Sequence, residues 1–189
     1  MAAPIGKVAT AEGAVTATRS DGTVVALAVD DPVFQGDVLV TDAGGAVGLV
    51  FNDNTTFALG ENARMVLDEL VFDPDGGEGS SLFSVVEGAF VFVSGEIAAN
   101  NPEEMVVRTP VATIGIRGTK AACLAAAEGA DNRIVLLPND DGTIGAIVVT
   151  TDASRLIITE ANLHGHRWYR QHHRDGHRRG RPQPNPCGG

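Results

Sequence analysis

Clusters of turn-forming residues interrupt this chain so often that no long regular element fits between them. Ser20-Asp21-Gly22, Asp42 to Gly45, Asn52-Asp53-Asn54, Gly60-Glu61-Asn62, Asp73 to Gly79, Asn100-Asn101-Pro102 and Asn139 to Gly142 are such clusters. They hold the residue types that supply a positive or fixed φ, or side chains that bond to their own backbone. The intervals between them are short and alternate with period 2, as strands do. Val15 and Ala17 alternate with Thr16 and Thr18 before the Ser-Asp-Gly turn, and Val25 and Leu27 continue the pattern after it, which predicts a hairpin. Further strands are predicted at 38–41, 46–51, 55–59, 64–72, 82–87, 90–94, 105–109, 133–137, 144–150 and 156–159. Turns roughly 8 to 12 residues apart predict an all-β fold: a compact twisted β-roll or a short β-solenoid of many short strands, with a sandwich as the alternative. Lys120 to Glu128 stays open. It is alanine-rich enough for a helix, lies between Gly118 and Gly129, and its first half also reads as a strand.

Composition narrows the function classes. Hydrophobic residues make up 43% and charged residues 20% of 189 positions, enough for a real core and too apolar for disorder of the whole. No apolar run approaches the roughly 18 residues of a membrane span, and no cleavable signal peptide is visible, so no membrane insertion is expected. From His164 the composition changes. All five histidines, the only Trp and Tyr, and six arginines lie there with one acid, Asp175, so this segment carries +5 of the net −10 and leaves −15 for the rest. The expected organisation is an all-β domain over 1–163 and a disordered basic His/Arg/Pro tail over 164–189, a change of composition also compatible with a shifted reading frame. An acidic body repels nucleic acid, and no nucleic-acid partner is expected. Residues 1–163 contain no histidine, which removes Ser-His-Asp and Cys-His catalysis from that body. No phosphate-cradling loop is present either, and no enzyme is expected. Cys123 sits in a small apolar run and reads as a buried hydrophobe, far from Cys187.

The segment Val107 to Thr119, VRTPVATIGIRGT, carries most of the information. Pro110 fixes φ, lacks an N–H and pushes Thr109 toward an extended conformation, so the chain must turn or bend there. Gly115 and Gly118 flank Ile116 and Arg117, and glycines within such a pattern mark a bulge, a positive φ or a close backbone approach. Ile114 and Ile116 share one face, and Arg117 points the other way or meets a carboxylate. Arg108 and Arg117 suit an anionic ligand. In so acidic a chain the expected role is structural, with Glu87, Glu96, Asp68 and Glu69 as available partners and a destabilised domain on Arg117→Ala.

Thr109, Pro110, Ala112, Ile116, Arg117, Gly118 and Thr119 resemble the T-P-x-A-x-x-x-V-R-G-T signature of FecR-type domains, with Ile116 in place of the usual valine. The run from Gly36 to Leu67 is similar to the family's strand and turn succession, so the resemblance covers about Gly36 to Ala126. It implies an all-β bacterial domain working outside the cytoplasm, without catalysis. In the namesake regulators such a domain sits on the periplasmic side of an iron-transport signalling system, beside a cytosolic sigma-factor-binding segment and a membrane-spanning helix that this sequence does not display. The expected function is therefore an interaction or retention module of an exported protein, the N-terminal part of a larger adhesin-like surface protein. The alternative is a stand-alone periplasmic signal-sensing domain related to iron-transport anti-sigma regulators. Either binds a protein partner.

Two further site readings are weaker. Asp73, Asp75 and Glu78, with Asp140 and Asp141, would suit calcium, but Asp and Gly are also what tight turns require, and no cofactor is expected. The histidines of the tail match no closed zinc motif, and no metal site is assigned to them.

Overall fold

The computed structural model describes residues 3–161 and the backbone of 166–168. In chain order the elements are β1 (Gly6–Glu12), β2 (Val15–Thr18), β3 (Val24–Ala26), β4 (Pro32–Val33), β5 (Val38–Thr41), β6 (Ala46–Phe51), β7 (Thr56–Leu59) and β8 (Arg64–Asp73). There follow β9 (Glu78–Val93), α1 (Glu96–Asn100), β10 (Met105–Arg108), β11 (Thr113–Arg117) and β12 (Lys120–Ala125). The last are β13 (Asn132–Leu137), β14 (Ala146–Thr150), β15 (Arg155–Ile158) and β16 (His166–Trp168).

These strands make two faces of one folded sheet. The first has the order β4-β1-β6-β7-β9-β12-β13-β16, and the second β3-β2-β5-β8-β9-β10-β11-β14-β15. Only β9 belongs to both. Residues 78 to 87 pair with β8, and 81 to 84 also pair with β10. Residues 88 to 93 pair with β12, and 90 to 93 also with β7. The inward positions of β9 reveal the fold. Ser81, Phe83 and Val85 point in with odd numbers, whereas Phe90 and Phe92 point in with even numbers. A strand can change parity only through an irregular backbone, and the change spans Val86 to Ala89, where Gly88 has φ +104°.

The roll closes over phenylalanines from both faces. Phe83 lies 4.7 Å from Phe51 and 5.0 Å from Phe57 between ring centroids, and these contacts join the second face to the first. Phe57, Phe90 and Phe92 continue the cluster. Each ring is at most 2% exposed, a burial worth about 1.5–3 kcal/mol apiece. A part-buried ion pair supports the N-terminal half. Arg19 donates to Asp37, which also accepts from the Phe34 N–H at 2.8 Å, while the guanidinium lies 4.8 Å from the Phe34 ring centroid.

The all-β expectation and the predicted 15–27 hairpin are borne out, with β2 and β3 antiparallel. The architecture is the roll, packed as a sandwich. Among the described strands only β9 and β10 run parallel, so there is no stack of parallel coils of the solenoid kind. Two strands expected at 82–87 and 90–94 are one bent strand. Lys120 to Ala125 is a strand because it lies between β9 and β13, with Ala121, Cys123 and Ala125 inward under period 2. Cys123 is buried and free, as expected. The first strand, β1, went unpredicted because Val8 is the single strongly apolar residue of its inward set, and its pairing with β6 shifts register between Val8 and Thr10. The strand β16 pairs with β13 at the start of the basic segment. The rest of the expected tail, with the other four histidines and Cys187, lies outside the described residues.

Candidate functional site

The motif segment builds two corners and one strand between them. Thr109 to Ala112 form the turn from β10 to β11. The Thr109 N–H donates to the Ala112 carbonyl at 2.8 Å, and the Ala112 N–H donates to Thr109 Oγ1 at 3.1 Å. Pro110 occupies this turn, where its missing N–H is not needed by a ladder. Ala112 is 6% exposed, and Ile114 and Ile116 are fully buried on the shared face the sequence predicts.

At the other end the chain leaves the second face for the first. Gly118 takes φ +54°, which opens the turn from β11 to β12. Thr119 is 1% exposed; its N–H donates to Ser94 Oγ at 2.8 Å, and its carbonyl accepts from the Ser94 N–H at 3.0 Å. Six of the seven motif residues are thus turn or core residues. They hold β11 in register between β10 and β14.

Arg117 is the exception, because it lies on the outward face with Thr113 and Gly115. Its guanidinium approaches Glu103 at 3.7 Å, and both side chains are largely exposed, at 51% and 79%. The expected partners Glu87, Glu96, Asp68 and Glu69 form no ion pair with it among the described residues. The loop after α1 brings Glu103 over the end of β11, a contact between elements that local sequence does not display. An exposed pair of this kind is worth about 0–1 kcal/mol, and Glu103 takes the place of the carboxylates expected beside Arg117.

Gly115 corrects a second expectation. It has no positive φ, and a Cβ added there would meet nothing closer than Val148 at 3.9 Å, which is ordinary contact. Nothing in the backbone requires glycine at this position, and glycine within a strand costs about 0.5–1 kcal/mol relative to alanine. Its effect is to leave a dent in the outer face. The dent continues into an open groove of about 350 Å³ lined by Pro102, Glu103, Thr113, Arg117, Thr150 and Arg155, with Val148 beside Gly115.

Register continues the face that carries the groove across the sheet. Cross-strand partners share a face, so Leu82, Val106, Gly115, Val148 and Ile157 form one apolar row. The next row reads Ser84, Arg108, Thr113, Thr150 and Arg155. Arg108 and Arg155 have no ion pair among the described residues. Sequence reasoning found Arg108 and Arg117 but missed Arg155, Val148 and Thr150, which join them only through the β11–β14 and β14–β15 pairings.

The acidic turns have a geometry of their own. Asp73 Oδ1 accepts from the Asp75 N–H at 3.0 Å, closing the β8–β9 turn. Asp141 Oδ1 accepts from both the hydroxyl and the N–H of Thr143, at 2.6 and 2.9 Å. The Thr143 hydroxyl, and then its N–H, hold the Asp141 carboxyl below the usual range. Among the described residues no group of three or more His, Cys, Asp or Glu gathers around a common point. No helix of the described residues is long and apolar enough to cross a membrane.

Comparison with known proteins agrees with the motif. A crystal structure from Parabacteroides distasonis, described as that of a candidate anti-sigma factor, superposes with a TM-score of 0.52 at 14% identity. The similarity covers 69% of this chain and 57% of the other. At that identity it shows a shared fold. No curated protein matches the sequence. The profile of the family described as FecR protein matches residues 37–139, more than half of the chain, beginning where the motif-based resemblance begins and reaching past it to β13 and the turn that follows. This chain belongs to the FecR protein family.

Proposed function

We propose that this chain is a signal-sensing domain of a bacterial regulator, which works outside the cytoplasm by binding a protein partner and performs no catalytic step. The observation that carries this reading is the division of labour in the family motif. Six of its residues fix a strand, and the alternate face of that strand is left open, indented and cationic. A face held rigid from behind and left without side-chain filling suits recognition, since binding residues gain from a scaffold that does not move. Family membership and the neighbour described as a candidate anti-sigma factor favour regulation over the adhesin-like retention module that the sequence also suggested. Nothing in the comparisons speaks for adhesion. The lack of histidine in 1–163 supports the absence of catalysis.

Deleting the coding gene and profiling transcripts separates the two readings. A sensing domain predicts a confined set of altered transcripts that is restored by complementation. An unchanged transcript profile with reduced surface attachment would refute it in favour of the retention module.

A further inference from the structure

We propose that the outward face of β10, β11, β14 and β15 is a docking groove for an extended, acidic segment of a partner protein. The inference rests on the protein-binding reading above and adds the place and the chemistry of the contact.

Charge provides the first argument. Residues 1–163 contain eight Lys and Arg against 23 Asp and Glu. Three of those eight cations, Arg108, Arg117 and Arg155, stand on this single face, and among the described residues Arg117 alone of the three forms an ion pair, with Glu103. The remaining acidic surface of residues 1–163 repels an acidic partner, and this face attracts it, so the field of that body steers such a partner to one place.

Spacing provides the second. From Arg108 on β10 to Arg155 on β15 there are three strand-to-strand steps, about 14 Å at about 4.8 Å each. An extended chain places residues i and i+4 about 13 Å apart on the same side, at about 3.3 Å per residue. A carboxylate at each of those positions would meet both arginines, whose planar forks donate bidentately to carboxylates. Thr113 and Thr150 lie between them in register and offer hydroxyls to the residue between. The neighbouring row of Val106, Gly115, Val148 and Ile157 is an apolar floor, and the missing side chain at Gly115 leaves room in its centre. A free anion would use the arginines and ignore this floor. An acidic segment interleaved with aliphatic residues uses both.

The test is fluorescence anisotropy on the full chain with a labelled eight-residue peptide of alternating Glu and Val, and with its Lys-Val analogue. The expected result is saturable binding of the Glu-Val peptide and none of the Lys-Val peptide. Binding should weaken about tenfold or more in Arg108→Gln/Arg155→Gln, and equally in Gly115→Val, whose thermal melting is unchanged or raised because valine suits an unstrained strand position. No saturable binding of the Glu-Val peptide at about 1 mM, a threshold of about −4 kcal/mol, would overturn the proposal. So would displacement of the peptide by inorganic polyphosphate together with full affinity in Gly115→Val, because the face would then be a plain anion patch. The outcome is independent of the transcript experiment: altered transcripts with unaffected peptide binding in these variants would leave the regulatory reading standing and remove this groove from it.

Discussion

Replacing Gly88 by alanine tests whether one bent strand holds the two faces together. Two costs combine at this position. The φ of +104° is outside the range that alanine adopts without strain, which costs about 1–3 kcal/mol. The added methyl would also lie 2.6 Å from Ala63 Cα and against Ala63 Cβ. Ala63 cannot step aside freely, because its N–H donates to Thr41 Oγ1 at 2.9 Å and its carbonyl accepts from the Thr41 N–H at 3.0 Å. Overpacking against such a fixed neighbour costs a further 1–3 kcal/mol or so. A total of about 2–6 kcal/mol corresponds to a fall in melting temperature of about 4–24 °C for a chain of this size. Gly118→Ala is the comparison. It shares a positive φ, +54°, but a Cβ there meets nothing within 4 Å, so only about 1 kcal/mol and a fall of about 2–4 °C are expected. Melting of both variants by circular dichroism decides the matter. Equal small shifts would show that Ala63 yields, and that the parity change in β9 is not the constrained corner described here.

Other positions give sharp expectations. Arg117→Ala lowers the melting temperature by no more than about 2–4 °C, as an exposed pair with Glu103 requires; a larger fall would restore the arginine to a structural role. Asp37→Ala costs about 1–3 kcal/mol by chemical denaturation, because it leaves Arg19, whose side chain is 20% exposed, with the Pro32 carbonyl and no carboxylate; a cost under about 0.5 kcal/mol would contradict the part-buried pair. Burial pushes the Cys123 thiol far above its ordinary value, so in a Cys187→Ser background it resists a thiol reagent at pH 8 until the protein unfolds; rapid native-state labelling would refute this. The Asp141 carboxyl is held low by the Thr143 hydroxyl and N–H. Its folded pKa is below the unfolded one, so its contribution is full above about pH 3.9 and is lost as pH falls through the folded value. The Thr143 amide resonance should therefore titrate below that point, and a midpoint above it would contradict the hydrogen bonds.

Local sequence disclosed what local physics controls. The turn clusters and the period-2 runs announced most strands, and Pro110 and Gly118 announced both corners of the motif. What stayed hidden depends on partners distant in sequence. Nothing near Glu78 to Val93 says that one strand serves two faces, since the parity change becomes visible only when Phe83 and Phe90 are seen to point into the same core. Lys120 to Ala125 is a strand because β9 and β13 flank it, and its alanines alone would equally suit a helix. The site divided in the same way. Alternation separated Thr113, Gly115 and Arg117 from Ile114 and Ile116, but Val148 and Arg155 reach that face only through pairing across more than thirty residues. Glycine also misleads when read alone: Gly118 obeys a backbone need, and Gly115 obeys none.

The claim that the motif is a scaffold and its outward face the working surface is tested most directly by a Gly115→Val strain. The variant should melt at or above the temperature of the unaltered protein, and the strain should reproduce the transcript changes of the deletion. A folded Gly115→Val protein that supports an unaltered transcript profile would contradict the account.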